Sequence, residues 1–505
     1  MPNYYLGIDN GGTLCKAVLF DGLGTEIASA ASELVMITPQ SGFTERDMNA
    51  LWEANCGVIR EALAKSQIDP AAIKGIACTG HGKGLYLWGK DGKPCGNGIV
   101  STDGRAWEYP PRWERDGTAE RVFEKTCQTI LASQAVSILC WIKDHQPEVF
   151  GNIQWIFECK DYIRFMLTGE AFAEITDYSG ANLLNLRKKC FEKELLAEFG
   201  LEELFDALPP LKGSSEICGH VTGETAKQTG LAEGTPVAGG MFDIDACAIA
   251  MDITNDENIA VIAGTWSINE YISKTPMLDR SVMMNSLYCM DGYYLIEECS
   301  PTSAGNFAWF ADMFLAEEKA AAKAQGKDFY DYRDELAGKV APDEQSILFL
   351  PYLFGSNYDP QAKAAIIGLD SHHTKPQIIR AVMESIAFCH KVHIEKLLAG
   401  RKSTRALRLG GGVAKSMFWA QIFSDVMNLP VELIDTDELG TLGCAMAAAV
   451  ASGEYADLAE AAKFMVKIKC RLEPAEENAK IYNRKYELYK SISGALENSW
   501  RKFYA

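Results

Sequence analysis

The chain has 505 residues and a formal net charge of −19, with 48% hydrophobic and 23% charged residues. Its length exceeds what a single hydrophobic core supports, so two or more domains are expected. The acidic balance argues against a nucleic-acid surface, and the lack of an apolar run of ~18 residues or of a signal-peptide pattern argues against a membrane protein. Fifteen scattered cysteines without a C-x-x-C pair favour a reducing, cytoplasmic location.

The first predicted elements flank the stretch "DNGGT". Residues 4–8 and 15–20 are apolar and predict two strands, so Gly11, Gly12 and Thr13 form the loop of a hairpin. In a P-loop or a dinucleotide-binding fingerprint the glycines open a helix instead, and neither motif is present. A ligand-free hairpin turn is an equal alternative for this motif taken alone.

A second copy of the pattern begins some 250 residues later, in "ENIAVIAGTWSINEYIS". Residues 259–262 and 268–272 predict strands around a tight turn at Gly264 and Thr265. A hydroxyl residue closes each turn, which indicates an internal duplication. Two such hairpins could bind one polyphosphate through backbone donors and hydroxyls, so the phosphate interpretation is favoured.

The remaining elements complete the second half. In "LRLGGGVAKSMFWAQIFSDVM", residues 407–409 predict a strand, 410–412 a turn and 416–427 an amphipathic helix. The glycines would let a flat ring approach the backbone, with a plain strand-to-helix turn as the alternative. His390 and His393 lie on another predicted helix and are interpreted as ordinary histidines, not metal ligands. The tail "PAEENAKIYNRKYELYKSISGALENSW" predicts a closing amphipathic helix.

These three loops, in this order, resemble the two phosphate motifs and the adenosine motif of actin-like ATPases. Within that superfold the chain resembles the FGGY carbohydrate kinases from about Gly7 to Gly453. The stretches "GFTERDMNALW" and "AAIIGLDSHHTKPQIIRAVMESIAF" are similar to family patterns. A further family signature is met only in part, because Trp141 is in place but Ile138 stands where relatives usually have Lys.

The resemblance implies an α/β protein with two actin-like (ribonuclease H-like) domains, a cleft between them and an internal duplication. The expected segments are residues 1–250 on the sugar side, 251–450 on the nucleotide side and a helical extension over 451–505. The implied activity is transfer of the γ-phosphate of ATP to a sugar hydroxyl. The implied nucleotide-binding residues are Gly11, Gly12, Thr13, Lys16, Gly264, Thr265, Gly305, Gly411, Gly412 and Ser416.

Asp9 stands directly before the first glycine loop, where a bare carboxylate would repel phosphate. ATP arrives with Mg²⁺, a hard cation that accepts one or two carboxylates plus waters, so Asp9 is expected to hold the metal. A turn-capping role for Asp9 is the structural alternative. Asp243 is the second expected metal ligand.

Asp243 is also the expected catalytic base, because a sugar hydroxyl must lose its proton and a nearby carboxylate can accept it. The family's catalytic aspartate occupies the matching position. A helix N-cap role is the alternative, and Asp245 is the neighbouring rival. The expected sugar-binding residues are His81, Lys83, Asp103, Phe242 and Asp243.

The stretches "GHGKGL" and "STDGRA" are most similar to family members that act on L-xylulose. A ketopentose, L-xylulose first, is therefore the expected substrate, and other ketoses or polyols stay open. An actin-like ATPase without a sugar substrate and a sugar-responsive regulator are alternatives of other classes. The expected partners are the sugar, ATP and Mg²⁺, with neither nucleic acid nor membrane, and the assembly is a possible homodimer.

Overall fold

The computed structural model describes residues 3–356, 359, 361–399, 401 and 404–504. The chain divides into two compact units. The first comprises Met1–Thr254, Ile272–Ile296 and Glu438–Val466, and the second comprises Asn255–Tyr271, Glu297–Asp437 and Lys467–Ala505. Among the described residues, none of the helices combines the length and apolar character that crossing a membrane requires.

The strands, in chain order, are β1 (Tyr4–Asn10), β2 (Leu14–Asp21), β3 (Glu26–Glu33), β4 (Glu45–Arg46), β5 (Ile73–Gly80), β6 (Tyr86–Gly89), β7 (Gly98–Ile99), β8 (Ile153–Phe157), β9 (Ala173–Glu174), β10 (Leu184–Asn185), β11 (Cys190–Phe191), β12 (Leu211–Lys212), β13 (Ile217–His220), β14 (Pro236–Ala238), β15 (Asn258–Ala263), β16 (Ser267–Ser273), β17 (Met284–Leu287), β18 (Tyr294–Ser300), β19 (Leu348–Leu350), β20 (Ala365–Ile367), β21 (Ala406–Gly410), β22 (Val431–Ile434) and β23 (Ile468–Leu472).

The helices are α1 (Met48–Ser66), α2 (Tyr109–Asp116), α3 (Thr118–Thr126), α4 (Ala135–His145), α5 (Pro147–Asn152), α6 (Cys159–Thr168), α7 (Ile175–Ser179), α8 (Lys193–Glu198), α9 (Gly223–Thr229), α10 (Asp243–Ala250), α11 (Ala304–Phe314), α12 (Ala316–Ala324), α13 (Phe329–Gly338), α14 (Lys375–Ala399), α15 (Met417–Met427), α16 (Leu439–Ala451), α17 (Leu458–Met465) and α18 (Glu476–Trp500).

The first unit is built on a six-stranded mixed sheet of order β13-β14-β5-β1-β2-β3. The hairpin predicted at the N-terminus is present, because β1 and β2 pair antiparallel and β2 continues antiparallel to β3. On the other side, β5 runs parallel to β1 and β14 runs parallel to β5. The carboxyl ends of β1, β5 and β14 therefore meet at one edge of the sheet.

A second sheet has the order β17-β18-β16-β15-β21-β22-β23. Here β15 and β16 form the predicted antiparallel hairpin, and β21 and β22 follow in parallel. The outer strand β23 is antiparallel to β22, just as β13 is antiparallel to β14. Apart from the extra strand β17, the two sheets have the same order. The strand pairs from β13 to β2 and from β23 to β16 also have the same directions, which is the internal duplication that the two hairpins predict.

Helix α16 explains why the bounds of the first unit differ from the expected segments. This helix packs against β1 and β5 although it follows β22 in the chain. A Cβ added at Gly7 would lie 2.0 Å from the Thr441 carbonyl oxygen, and one added at Gly75 would lie 2.8 Å from that of Ala448. The small residues allow this close approach, so Glu438–Val466 groups with the first unit.

The predicted tail helix is present as α18, in the second unit. Tyr482, Tyr486 and Tyr489 are buried on one face of this helix. The phenol of Tyr482 accepts a hydrogen bond from Arg380 of α14 at 2.7 Å, and Lys485 forms an ion pair with Glu384 of the same helix. The extension is therefore integral to the second unit. None of the fifteen cysteines, all of which lie in the described part of the chain, takes part in a disulfide.

Candidate active site

Three predicted segments converge at the carboxyl edge of the first sheet. Asp9 and Asn10 at the end of β1 pair with Thr79 and Gly80 at the end of β5. The His81 amide donates to the Asn10 carbonyl at 3.0 Å, which continues the contact beyond the strands. The turn after β14 joins the same edge, where it leads into α10. The metal, sugar and base candidates of the first unit thus share one edge.

The first glycine loop is a three-residue connection whose Gly12 and Thr13 are exposed. The Gly11 amide donates to the Leu14 carbonyl at 3.0 Å. The buried side chain of Arg46 donates to the carbonyls of Gly11 at 3.3 Å and Gly12 at 2.5 Å. Arg46 therefore fixes the loop from behind. Sequence reasoning did not identify it, although it lies within the quoted stretch "GFTERDMNALW".

The surroundings of Asp9 disfavour the charged form of its carboxyl. Burial raises the pKa of its carboxyl to about 6, opposed by Lys16 and reinforced by Glu438. Lys16, a predicted phosphate ligand, forms an ion pair with Glu438 at 2.9 Å. A Cβ on Gly440 would lie 3.1 Å from the Asp9 Oδ2 atom, so Gly440 keeps space beside the carboxylate. A cation at this position would compensate the charge that burial disfavours.

Asp9 and the neighbouring loop at Gly11–Thr13 fit a Mg²⁺ ion that is bound together with phosphate. The described residues contain no cluster of three or more His, Cys, Asp or Glu side chains arranged to hold a metal. Mg²⁺ does not require such a cluster, because one or two carboxylates with water and substrate phosphates usually suffice. Asp9 can supply one carboxylate beside the exposed loop.

Asp243 is the first residue of α10, and Phe242, not Asp243, occupies the N-cap position. The alternative N-cap role of Asp243 therefore does not apply. Asp243 is partly exposed, whereas Asp245 is fully buried and accepts a hydrogen bond from the Cys289 amide at 2.9 Å. Burial, with Glu174 nearby, raises the pKa of Asp245 well above its usual range. Of the two carboxylates, only Asp243 is accessible to solvent.

His81 and Lys83 lie in the loop that follows β5. The His81 side chain is buried, and its Nε2 atom lies 2.9 Å from the Tyr86 hydroxyl. Burial, with a contribution from Arg46, lowers the pKa of His81 to about 4, so its imidazole is neutral. Lys83 is partly exposed and has a left-handed backbone with φ of 64°. The loop thus combines a neutral ring and an ammonium group.

The Phe242 ring lies against this loop. A Cβ added at Gly82 would lie 2.1 Å from the Phe242 ring, so the ring rests directly on the Gly82 backbone. Because Phe242 immediately precedes Asp243, this contact joins the loop after β5 to the start of α10. The predicted sugar residues His81, Lys83, Phe242 and Asp243 therefore lie on two contacting segments.

Asp103 has a different environment. Its buried carboxylate accepts hydrogen bonds from the Thr44 amide at 2.7 Å and from the guanidinium of Arg105 at 2.9 Å. Arg105 also forms an ion pair with Glu45 at 2.7 Å. Asp103 thus fixes the segment around Thr44 from inside, and direct contact with sugar stays a prediction for this residue.

The predicted nucleotide residues of the second unit also converge. A Cβ on Gly305 would lie 3.1 Å from the Thr265 side chain, and a Cβ on Gly411 would lie 2.8 Å from the Ala263 backbone. Gly411 has a φ of 81°, so both conformation and space require glycine there. The hairpin at Gly264, the start of α11 and the loop after β21 therefore lie side by side.

A cavity of about 420 Å³ opens beside these loops within the second unit. This volume suits a small-molecule site. The Ser416 hydroxyl caps α15 by accepting from the Trp419 amide at 2.9 Å and donates to Asp334 at 2.5 Å. The cavity is lined by Ala304, Phe307, Ala308, Asp328, Tyr330, Asp331, Arg333, Asp334, Gly412, Lys415, Ser416 and Trp419.

Arg333 shapes one wall of this cavity and was not identified from the sequence. Its guanidinium lies 4.8 Å from the centre of the Trp419 ring and 5.1 Å from that of Phe307. An ion pair with Asp334 at 2.6 Å fixes it further. A flat aromatic base would find both apolar rings and polar atoms here.

The family models confirm the class of the protein. Residues 4–250 match the N-terminal domain, and residues 259–452 the C-terminal domain, of the FGGY family of carbohydrate kinases. The chain belongs to this family and is an ATP-dependent sugar kinase.

Relatives and solved structures cover nearly the whole chain. A probable L-xylulose kinase of Pasteurella multocida (strain Pm70) is 34% identical over 499 residues, or 98% of this chain and 99% of that protein. The L-xylulose/3-keto-L-gulonate kinase of Escherichia coli (strain K12) is also 34% identical over 499 residues, or 98% of each chain. A ligand-bound xylulose kinase from Lactobacillus acidophilus matches with a TM-score of 0.89 and 26% identity, covering 99% of this chain and 100% of that one.

Proposed function

We propose that this enzyme phosphorylates a ketopentose, L-xylulose first, with Asp243 as the catalytic base. The main observation behind this proposal is that Asp9, the His81–Lys83 loop and Asp243 lie on neighbouring segments at one edge of the first sheet. Two full-length relatives whose names include L-xylulose support the choice of sugar.

In the proposed reaction, Asp243 accepts the proton of the sugar hydroxyl as that oxygen attacks the γ-phosphorus of ATP. The new bond joins the sugar oxygen to phosphorus, the bond from phosphorus to the β-phosphate oxygen breaks, and ADP leaves. Positioning and charge stabilisation contribute most of the catalysis in such transfers. In the first unit, the exposed loop at Gly11–Thr13 offers backbone donors and the Thr13 hydroxyl to a phosphate. In the second unit, taken by itself, the hairpin at Thr265 offers groups of the same kind.

Mg²⁺ is part of this proposal, with Asp9 and Asp243 as its protein ligands. When bound, Mg²⁺ neutralises phosphate charge in the transition state. The raised pKa of Asp9 supports this role, because a partly buried carboxylate beside Glu438 gains from a nearby cation. Titrating Mg²⁺ at fixed ATP would test the requirement.

Lys83 supports a second candidate substrate, a keto sugar acid. An ammonium group offers three donors and no acceptor, so it can bind hydroxyl, carbonyl or carboxylate oxygens. The name of the Escherichia coli relative includes 3-keto-L-gulonate as well as L-xylulose. The neutral His81 ring adds no positive charge to the loop, so Lys83 is the residue on which a preference for an acid would depend.

A coupled assay of ADP release with ketopentoses, ketohexoses, keto sugar acids and polyols tests the substrate. We expect L-xylulose to give the highest kcat/KM, and a higher value for any polyol or ketohexose would exclude this choice. Asp243→Asn should lower turnover by on the order of 10²- to 10⁴-fold, since an amide cannot accept the proton. Asp245→Asn is the matched control and should retain turnover.

We further propose a cytoplasmic location, which the absence of disulfides among the fifteen cysteines supports. A homodimer is a candidate assembly in this proposal. Light scattering coupled to size-exclusion chromatography would measure the mass in solution, and a value of one chain would exclude the dimer.

A further inference from the structure

The turn that presents Asp243 is held at its backbone atoms from several directions. Gly240, with φ of 74°, would place a Cβ 1.9 Å from the Cys78 carbonyl oxygen, so only glycine fits. The Thr79 hydroxyl donates to the Met241 carbonyl at 2.8 Å, and the Gly240 amide donates to the Ser214 carbonyl at 3.0 Å. The remaining link is at Phe242, the residue directly before Asp243.

Thr176 supplies that link. Its Oγ1 atom accepts a hydrogen bond from the Phe242 amide at 2.9 Å and donates to Glu174 at 2.7 Å. The side chains of Thr176 and Glu174 are both fully buried. Because the hydroxyl proton points to the carboxylate, a lone pair of the oxygen faces the Phe242 amide. The hydrogen-bond direction is therefore fixed at both ends.

Glu174 is itself anchored, which makes Thr176 a rigid acceptor. The Ser214 hydroxyl donates to Glu174 at 2.8 Å, and the ammonium of Lys160 lies 3.3 Å from its carboxylate. Lys160 is fully buried and also pairs with Asp161 at 2.9 Å. Hydrogen bonds to ionised groups are shorter and stronger than neutral ones, so the chain Lys160–Glu174–Thr176–Phe242 is stiff.

We infer that Thr176 is a positioning residue for phosphoryl transfer: its hydroxyl fixes the N-terminus of α10 and thereby the direction of the Asp243 carboxylate. This inference rests on the proposed role of Asp243. A catalytic base must lie within hydrogen-bond reach of the proton it accepts. An error of about 1 Å in such a site can lower the rate by ~10²-fold. A buried hydroxyl that binds the amide of Phe242, the residue before the base, therefore has a kinetic effect without touching the sugar.

The test compares a graded series at Thr176 with a matched control. Thr176→Ser keeps the hydroxyl, Thr176→Cys replaces it with a weaker hydrogen-bonding group, and Thr176→Val removes it at nearly constant volume. Thr229 is the control, since its buried Oγ1 also makes two hydrogen bonds: it donates to the Thr225 carbonyl at 2.7 Å and accepts from the Leu231 amide at 3.2 Å. Thr229→Val should therefore cost similar stability, but at the end of α9 and without changing a contact of the turn before Asp243.

We expect Thr176→Val to lower kcat by on the order of 10- to 100-fold with little change in the KM for ATP. Thr176→Ser should stay within about threefold of the wild type, with Thr176→Cys between Ser and Val. Thr229→Val should lower the Tm without this loss of kcat. If Thr176→Val fails to fold, the difference between the Ser and Cys variants decides, and equal kcat values for those two overturn the inference.

Double variants separate this inference from the proposed function. In an Asp243→Asn background, Thr176→Val should cause no further loss, because it acts only through the base. A full additional loss there would show that Thr176 acts elsewhere and overturn the positioning role. Near-normal turnover of Asp243→Asn alone would instead refute Asp243 as the base, and the Thr176 inference would fall with it.

Discussion

The charge state of His81 gives a quantitative prediction about stability. His81 is 5% exposed, and burial, with Arg46 nearby, lowers its pKa from 6.5 to about 4. Between these values the unfolded chain binds a proton that the folded chain does not. Folding stability therefore falls as the pH is lowered through this window, and it is unaffected above it.

The size of the effect follows from the shift. Each pKa unit corresponds to about 1.4 kcal/mol, so the full penalty approaches ~3 kcal/mol below about pH 4. At about pH 5 the same linkage gives a loss of ~2 kcal/mol, and at about pH 7.5 it gives ~0. His81→Gln removes the titrating group and should therefore remove this part of the pH dependence.

Urea unfolding of the wild type and of His81→Gln at about pH 7.5 and about pH 5 measures the difference. We expect the wild type to lose ~2 kcal/mol more than the variant between these values. His145 provides the control, because its imidazole is exposed and its Nδ1 atom lies at hydrogen-bond distance, 2.9 Å, from the Trp141 carbonyl oxygen. His145→Gln should follow the wild type. Equal losses in the wild type and His81→Gln would show that His81 is not buried as a neutral ring.

Three further predictions concern the metal, the sugar and the packing of α16. Asp9→Asn should lower turnover by ~10-fold or more and raise the Mg²⁺ concentration for half-maximal rate; an unchanged Mg²⁺ titration would refute the metal role. Lys83→Met should raise the KM for sugar, most for a sugar acid, and leave the KM for ATP unchanged in the coupled assay; an equal rise for both would exclude sugar-side contact. Gly7→Ala should lower the free energy of unfolding in urea by ~1–3 kcal/mol, since its Cβ would meet the Thr441 carbonyl at 2.0 Å. The helical control Gly57→Ala has open space and should gain ~1 kcal/mol; equal effects would contradict the packing argument.

Local patterns predicted the hairpins well, because the apolar strands and the glycine turn that mark a hairpin lie within a few residues of one another. The predicted strand over 4–8 extends to Asn10, and the one over 259–262 is Asn258–Ala263. The helix predicted over 416–427 begins at Met417, with Ser416 as its cap. The order of the sheets could not be obtained in this way. Strand β5, the parallel neighbour of β1, and strand β21, the parallel neighbour of β15, each come from a distant part of the chain. The register of these pairs depends on tertiary packing.

Chemistry in the sequence predicted roles for Asp9 and Asp243, because Asp9 stands directly before a glycine loop and Asp243 follows a Gly-Gly turn at the end of a strand. Arg46 and Thr176 were missed for the opposite reason. Each contacts backbone atoms of another segment, at Gly12 and Phe242, and a backbone amide or carbonyl has no sequence signature. Only the fold shows which side chains support a functional loop from behind.

The duplication also explains why the two glycine loops have different chemistry on the same scaffold. Aligned on their closing threonines, Thr13 and Thr265, the two strands place Val261 where Asp9 stands. Both loops can offer backbone donors and a hydroxyl to phosphate, but the second has no carboxylate at this position. The partly buried charge of Asp9, with its pKa of about 6, disfavours the folded state unless a cation compensates it. The first loop therefore has a cation-binding group beside its phosphate donors, whereas the second loop, with Val261 at this position, offers phosphate only uncharged groups.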